Sequence, residues 1–318
     1  MKMTSLLPRM SSELARHIDG LDFRDFSRLS IARLAGTALP HIGCIELVTA
    51  TDFAKLYDEL YISMFPNSSE RERSDLITAR LIEESSGQRE HLAPYRIVGI
   101  LDGDGKAIGA SHFSVLLLRD HNYAIPYVQY IYVRKENRRQ DMAEVLHAFT
   151  LAVATADAAR HEGRTVPFEL FETEPPGHGD SDEHRAVATQ RAMIHSKSGA
   201  EALMLRRAKD DALVTAHVQP GLEVGDPPIS LVWAIKPSPA LPNSDVNVAQ
   251  LGNDLIAAYY QSLRDEGFPN ANIVVAKEIA AKRCKDSVFL TMSLNDVNLA
   301  EDELPHSRDS MPSATNSS

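Results

Sequence analysis

YIYVRKENRRQDMAEVLHAF, residues Tyr130 to Phe149, runs from a strand through a basic loop into a long helix. The strand Ile125 to Val133 is built almost wholly from aromatic and β-branched residues, which suit a pleated surface. Downstream, Met142, Val145, Leu146, Phe149, Ala152, Val153 and Ala156 recur at helical spacing, so a helix starts at Met142. Between them Arg134, Lys135, Arg138 and Arg139 face only Glu136, a net +3 over six residues in a chain of formal charge −11. A helix N-terminus presents unpaired N–H groups and a positive pole, and such groups bind phosphate. The pattern predicts a diphosphate site at this helix start. On charge alone, a solvated basic loop is the simpler explanation.

The rest of the composition bounds the function. The 318 residues are 43% hydrophobic and 24% charged, an ordinary globular balance that excludes wholesale disorder, a collagen-like chain and a membrane bundle. The acidic surface argues against nonspecific nucleic-acid or anionic-membrane binding. Cys44 and Cys284 form neither a disulfide framework nor a CxxC site and read as free thiols in a reducing compartment. Leu6-Leu7 before Pro8 is too short an apolar run for a signal peptide. The apolar helix from Met142 to Ala159 carries Glu144, His147 and Asp157, which do not suit a membrane span. A cytoplasmic protein is expected.

Outward from the central segment, residues 1–42 read as an N-terminal helical extension ended near Pro40. Ile45 to Val48 reads as a strand. Asp52 is the expected cap of a helix with Phe53, Leu56, Tyr57, Leu60 and Met64 on one side, closed by Phe65-Pro66. A helix from Ser74 to Glu84 follows. Tyr95 to Leu101 and Ala107 to Leu118 form a hairpin around Asp102-Gly103-Asp104-Gly105. Beyond the central helix come a strand Val166 to Phe171, an acidic loop Glu172 to His184, a helix from Glu183 to Lys197 ending near Gly199, and strands Leu213 to Val218 and Ile229 to Ile235. Pro237, Pro239 and Pro242 suggest a linker closing a domain over 43–238. A mainly helical extension, with a helix from Val248 to Arg264, is expected over 239–300, and a disordered tail over 301–318.

Val133 followed by Arg138-Arg139-Gln140-Asp141-Met142-Ala143 resembles motif A of the GNAT superfamily, the acyl-CoA-dependent N-acyltransferases. Lys135 stands where that motif usually has Pro, and Asp141 where it usually has Gly. The order of elements from Gly43 to Pro237 resembles the family too, as do Phe65-Pro66 and Glu70-Arg71. The resemblance implies an α/β fold with a mixed, mostly antiparallel central sheet, a splayed parallel strand pair and flanking helices. It implies acetyl-CoA or another acyl-CoA as co-substrate, without a metal, lying between the strand that ends at Val133 and the strand Val166 to Phe171. Backbone groups along Ile131-Tyr132-Val133 would meet the pantetheine arm. The amides of Arg138, Arg139, Gln140, Asp141, Met142 and Ala143 would hold the pyrophosphate. An amine would attack the thioester directly.

The same resemblance places His195, four residues before Gly199, where many members carry a Tyr that donates a proton to the leaving thiolate; an ordinary helix-surface histidine is the alternative. Glu172 and Glu174 would serve as base or bind a cation, or are solvated loop carboxylates. Gln129 would orient a water, or is a structural partner. Glu70, Glu72, Glu172, Glu174, Asp180, Asp182 and Glu183 together suggest a cationic acceptor. Asp141 is expected to cap the helix or pair with Arg138 or Arg139, and its replacement by Gly to tighten coenzyme A binding by about 1 kcal/mol. His178, Asp180, Asp182 and His184 have metal-ligand types, but in a Gly-rich acidic loop they are not expected to bind one. N-acyl transfer is the leading reading. Alternatives are a degenerate domain that binds acyl-CoA or a partner without turnover, and a structural adaptor on the same sheet.

Overall fold

β1 (Cys44–Leu47), β2 (Tyr95–Leu101), β3 (Ala107–Leu117) and β4 (Ala124–Val133) form a continuous antiparallel ladder. The β2–β3 turn is closed by Asp102, whose carboxylate accepts from the amides of Asp104 at 3.0 Å and Lys106 at 2.9 Å, with Gly105 at φ +77°. β5 (Phe168–Thr173) joins β4 in parallel, with Tyr127 opposite Leu170 and Val128 opposite Phe171. The computed structural model describes residues 9–68, 71–179, 181–241 and 246–299. The tail expected over 301–318 lies outside them, as do Glu70, Asp180 and Pro242.

Two layers of helix cover this ladder. Alternation along β3 sends Ser111 to one face and His112 to the other. On the first face lies α6 (Met142–Arg160), whose Thr150 hydroxyl donates to Ser111 at 2.9 Å and whose Phe149 packs on Phe23 at 5.0 Å. α6 is long and apolar enough to cross a membrane, but two thirds of its most apolar stretch is buried inside the protein. On the second face lie α3 (Ala50–Asp52), a π-helical turn (Phe53–Tyr57), α4 (Asp58–Met64) and α5 (Ser74–Ser85). Their Phe53, Tyr57, Tyr61 and Ile77 pack with Tyr95, Ile97 and Tyr132 of the sheet. The cap here is Thr49 rather than Asp52: the Thr49 hydroxyl accepts from the Asp52 amide, so Asp52 sits inside the first turn. The N-terminal segment adds α1 (Ser12–His17) and α2 (Ile31–Gly36), capped by the hydroxyls of Ser11 and Ser30.

The chain divides into two units. The first runs to Phe171 and takes in 236–247 and 253–268; the second takes in 172–235, 248–252 and the chain from Pro269. In the second unit β6 (Glu201–Arg207) pairs with β7 (Leu213–Thr215), β8 (Val232–Pro237) and β9 (Ser287–Ser293), all antiparallel. It also holds α7 (Asp182–Lys197) and α9 (Asn270–Lys285), while α8 (Val248–Asp265) contributes to both units. Sequence reading missed β6 and β9. EALMLRR consists of good helix formers, and only the ladder hydrogen bonds on both of its edges make it a strand. The region expected to be mainly helical therefore also contains a strand, β9.

Candidate active site

β4 and β5 part company after two residue pairs. Among the described residues their parallel pairing stops at Val128 opposite Phe171, although β4 continues for five more residues to Val133. On its other edge β4 stays paired with β3, Ile131 opposite Ser111 and Val133 opposite Gly109. At the parting point the β3–β4 register shifts: Val128 faces Phe113 and Tyr130 faces His112, leaving Gln129 as the extra, bulged residue. One edge of Gln129 to Val133 is thus open and leads straight into the basic loop. This strand order with an opened parallel pair is the mixed, mostly antiparallel α/β arrangement that the resemblance implied.

The loop has its own devices. A 3₁₀ turn over Lys135–Asn137 is followed by two left-handed residues, Arg139 at φ 64° and Asp141 at φ 56°. Asp141 occupies the N-cap of α6 but makes no capping hydrogen bond. Its carboxylate instead accepts from Arg33 Nε at 2.8 Å, Arg33 Nη2 at 3.0 Å and the Thr37 hydroxyl at 3.0 Å. The Arg33 bond, with help from Thr37, holds the Asp141 carboxyl below its usual range. This corrects the expected cap or pairing with Arg138 or Arg139: the partner comes from the N-terminal extension. Glycine is the usual occupant of a left-handed position, and Asp tolerates it better than most residues. The first intrahelical bond is Val145 N to Asp141 O, so the amides of Met142, Ala143 and Glu144 precede the helical ladder.

The four basic residues of this loop do not act alike. Arg134 is tied to the β2–β3 hairpin through Asp102 at 3.4 Å and the Ala107 carbonyl. Arg138 lies along the loop, donating from Nε to the Val133 carbonyl at 3.3 Å, with Nη2 3.9 Å from the Met64 sulfur. Lys135 and Arg139 are exposed. Gln140 receives a 3.4 Å bond from Asn137. Tyr132 and Met142 are buried, so only their backbone can serve a ligand, whereas Ala143 is exposed.

No family model matches the chain, and no curated protein matches it. It is similar to a GNAT superfamily phosphinothricin acetyltransferase from Sinorhizobium meliloti, solved with acetyl-CoA: 16% identity, 61% of this chain, 87% of that one, TM-score 0.35. It is similar to a GNAT-family acetyltransferase from Staphylococcus aureus: 10% identity, 61% of this chain, 99% of that one, TM-score 0.34. It is also similar to the glucosamine N-acetyltransferase region of a fungal multi-domain β-N-acetylglucosaminidase: 13% identity, 52% of this chain, TM-score 0.34. There it spans only 18% of the other chain. The fold assignment rests on the strand order and the opened pair, not on these figures.

The remaining candidates divide between the units. In the first, Gln129 donates from Nε2 to Glu266 at 2.5 Å, while its buried Oε1 has no hydrogen-bond partner among the described residues. In the second, Glu172 sits 2.5 Å from Nε2 of the buried His217, which stacks on Trp233 at 4.3 Å. Burial lowers the His217 pKa, opposed by Glu172. Glu174 pairs with Arg191 at 2.8 Å. His195 lies in the last turn of α7, half-buried, its carbonyl accepting from the amides of Ser198 and Ala200. Among the described residues no three His, Cys, Asp or Glu side chains gather as a metal site.

The acidic cluster that suggested a cationic acceptor is largely committed elsewhere. Glu72 is buried and ion-paired with Arg80, and Asp182 pairs with Arg185 within α7. Glu172 and Glu174 have the partners just described. Sequence reading also missed the residues around Gln129. Glu266 caps α8, and its carboxylate accepts from Ser114 at 2.6 Å, Ser262 at 2.7 Å and Gln129. Nothing local to Glu266 announces this, because its partners are up to 152 positions away.

Proposed function

We propose that this chain is an N-acyltransferase that moves an acyl group, most simply acetyl, from a coenzyme A thioester to an amine. The observation that carries the reading is the open edge of β4 from Gln129 to Val133, leading into a doubly left-handed basic loop at the start of α6. An extended thioester arm can add to that edge through backbone hydrogen bonds. The diphosphate then falls where the first-turn amides of α6, the positive helix pole and Arg138 lie together. The amine attacks the carbonyl carbon, the C–S bond breaks and the thiolate leaves. The amine must first lose a proton and the thiolate must gain one. The acceptor is read as an amine without a charge preference, because Glu72, Glu172, Glu174 and Asp182 already have cationic or histidine partners. A cytoplasmic setting, in keeping with two free cysteines, belongs to the same reading.

Calorimetry with coenzyme A, followed by thiol release from acetyl-CoA with ethanolamine, spermidine and glycinamide, tests the proposal. Binding with thiol release supports it. Binding with no release from any amine turns the conclusion to a domain that binds acyl-CoA without turnover. No binding overturns it.

A further inference from the structure

Gln129 and Tyr130 are consecutive on β4, so regular pleating would send their side chains to opposite faces. The bulge at Gln129 interrupts that alternation, and both reach the same buried assembly. Gln129 Nε2 donates to the Glu266 carboxylate. The Tyr130 hydroxyl accepts from the Glu72 amide at 2.9 Å. Arg80 joins the two ends. Its guanidinium forms a two-armed pair with the Glu72 carboxylate, donates to the Glu266 carbonyl at 2.9 Å, and lies 3.7 Å from the Glu266 carboxylate and 4.5 Å over the Tyr95 ring. Gln129, Glu266, Arg80, Glu72 and Tyr130 thus close a ring on the strand residues next to the point where β4 leaves β5.

The chemistry of the ring restricts Gln129. An ionised carboxylate only accepts hydrogen bonds, so it holds the amide nitrogen of Gln129 and not its oxygen. Both oxygens of Glu266 are used, one by Ser114 and Ser262, the other by Gln129. Arg80 supplies one positive charge between two buried carboxylates, so its loss would leave both without a cationic partner. Gly267, at φ +89° after the last turn of α8, together with the amide bonds to Ser262 and Arg264, fixes where Glu266 enters.

We infer that Glu266 is a positioning residue for acyl transfer, which with Arg80 and Glu72 clamps the β4 bulge through Gln129 and Tyr130. The inference rests on the acyltransferase reading. On that reading the bulge aims the backbone beside the thioester carbonyl, and Glu266 touches no substrate. Part of the segment after the proline-rich stretch is then a component of the site: α8 delivers the carboxylate that sets the strand.

Glu266→Gln, of nearly the same size, removes the charge and turns one of the two accepting oxygens into a donor. It is expected to lower kcat with acetyl-CoA and the amines above by about tenfold to a hundredfold, the scale of a small misplacement of reacting groups. KM for acetyl-CoA and the calorimetric affinity for coenzyme A stay within about twofold, because the diphosphate loop is untouched. Gln129→Leu gives a comparable fall, and Glu266→Gln added to Gln129→Leu causes no further loss. Unchanged kcat in Glu266→Gln, or losses that multiply in the double variant, overturn the inference. If Glu266→Gln does not fold by circular dichroism, Ser114→Ala, which removes one donor to the same carboxylate, is the second variant. It is expected to lower kcat at unchanged coenzyme A affinity, and an unchanged kcat again overturns the inference. Failure of the acyltransferase reading looks different: the unaltered protein binds no coenzyme A, and the inference falls with it.

Discussion

Both nitrogens of one edge of the Arg33 guanidinium grip the carboxylate of Asp141, at 2.8 and 3.0 Å. The two residues are 108 positions apart, and the pair ties α2 to the loop that precedes α6. Arg33 is largely exposed while Asp141 is mostly covered, so the carboxylate faces the loop and the guanidinium faces solvent.

This pair revises the expected effect of Asp141. Its negative charge is already neutralised, so the repulsion of a diphosphate appears when Arg33 is removed. Arg33→Ala is expected to weaken coenzyme A binding roughly fivefold, the effect of one unpaired charge near phosphates in a partly solvated site. Asp141→Gly in the Arg33→Ala background should restore most of that affinity, because Gly also accepts the left-handed backbone. Calorimetric affinity of the two variants and the unaltered protein checks this, and equal affinity in Arg33→Ala and the unaltered protein would sink it. The contrast should shrink at high salt.

Arg138 lies along the loop rather than in a closed ion pair, so it is free to turn to a phosphate. Arg138→Ala is expected to weaken coenzyme A binding by about tenfold, the weight of one charge-assisted hydrogen bond, with little change in melting temperature. A variant that binds as tightly as the parent would remove the diphosphate from this loop.

His112 is buried on β3, within 3.1 Å of the Tyr132 hydroxyl and stacked on Tyr61 at 5.3 Å. Burial first, and the Arg80 charge second, push its pKa down to about 3 from 6.5. The folded protein therefore keeps it neutral while the unfolded chain protonates it near its ordinary value. Its contribution to stability is complete above about pH 6.5 and is lost as pH falls toward 3, with a slope of at most about 1.4 kcal/mol per pH unit. Urea unfolding between pH 6.5 and 4.5 should show a shallower loss for His112→Gln than for the parent. Parallel curves would contradict the assignment.

Gly99 on β2 lies directly beneath Tyr57, whose hydroxyl donates to Glu46 at 2.8 Å. A methyl group at Gly99 would overlap the phenol ring. Gly99→Ala is expected to destabilise the first unit by about 1–3 kcal/mol through overpacking. In the Tyr57→Phe background the cost should persist, because the ring carbons also collide. A melting temperature unchanged by Gly99→Ala would count against the packing described here.

Much of this architecture could be read from local pattern. The β2–β3 hairpin, β4, the start of α6 and α8 announce themselves because periodicity, turn residues and helix breakers lie within a few positions of each other. The basic loop and the Val133-to-Ala143 spacing were legible for the same reason. What stayed hidden depends on distant partners. EALMLRR becomes β6 only because strands pair along both of its edges, overriding its helical propensity. Glu72 looks like a solvated loop carboxylate until Arg80 and burial claim it, and burial then pushes its pKa up against the pull of Arg80. Glu172 reads as a base or a solvated loop carboxylate, and only the fold brings it 2.5 Å from His217 Nε2.

The sequence by itself determined the hairpin, the strand–loop–helix order and the concentration of positive charge before α6, since each follows from neighbours a few residues apart. Tertiary structure alone decided that β4 bulges at Gln129 and leaves β5 after Val128. It also decided that Asp141 answers to Arg33 and that Glu266 holds Gln129. Those outcomes depend on hydrogen bonds and ion pairs between residues more than a hundred positions apart in the two side-chain cases, and on a register shift between strands in the first. Such contacts have no periodicity along the chain, and their strength comes from burial that exists only once the sheet and helices have packed.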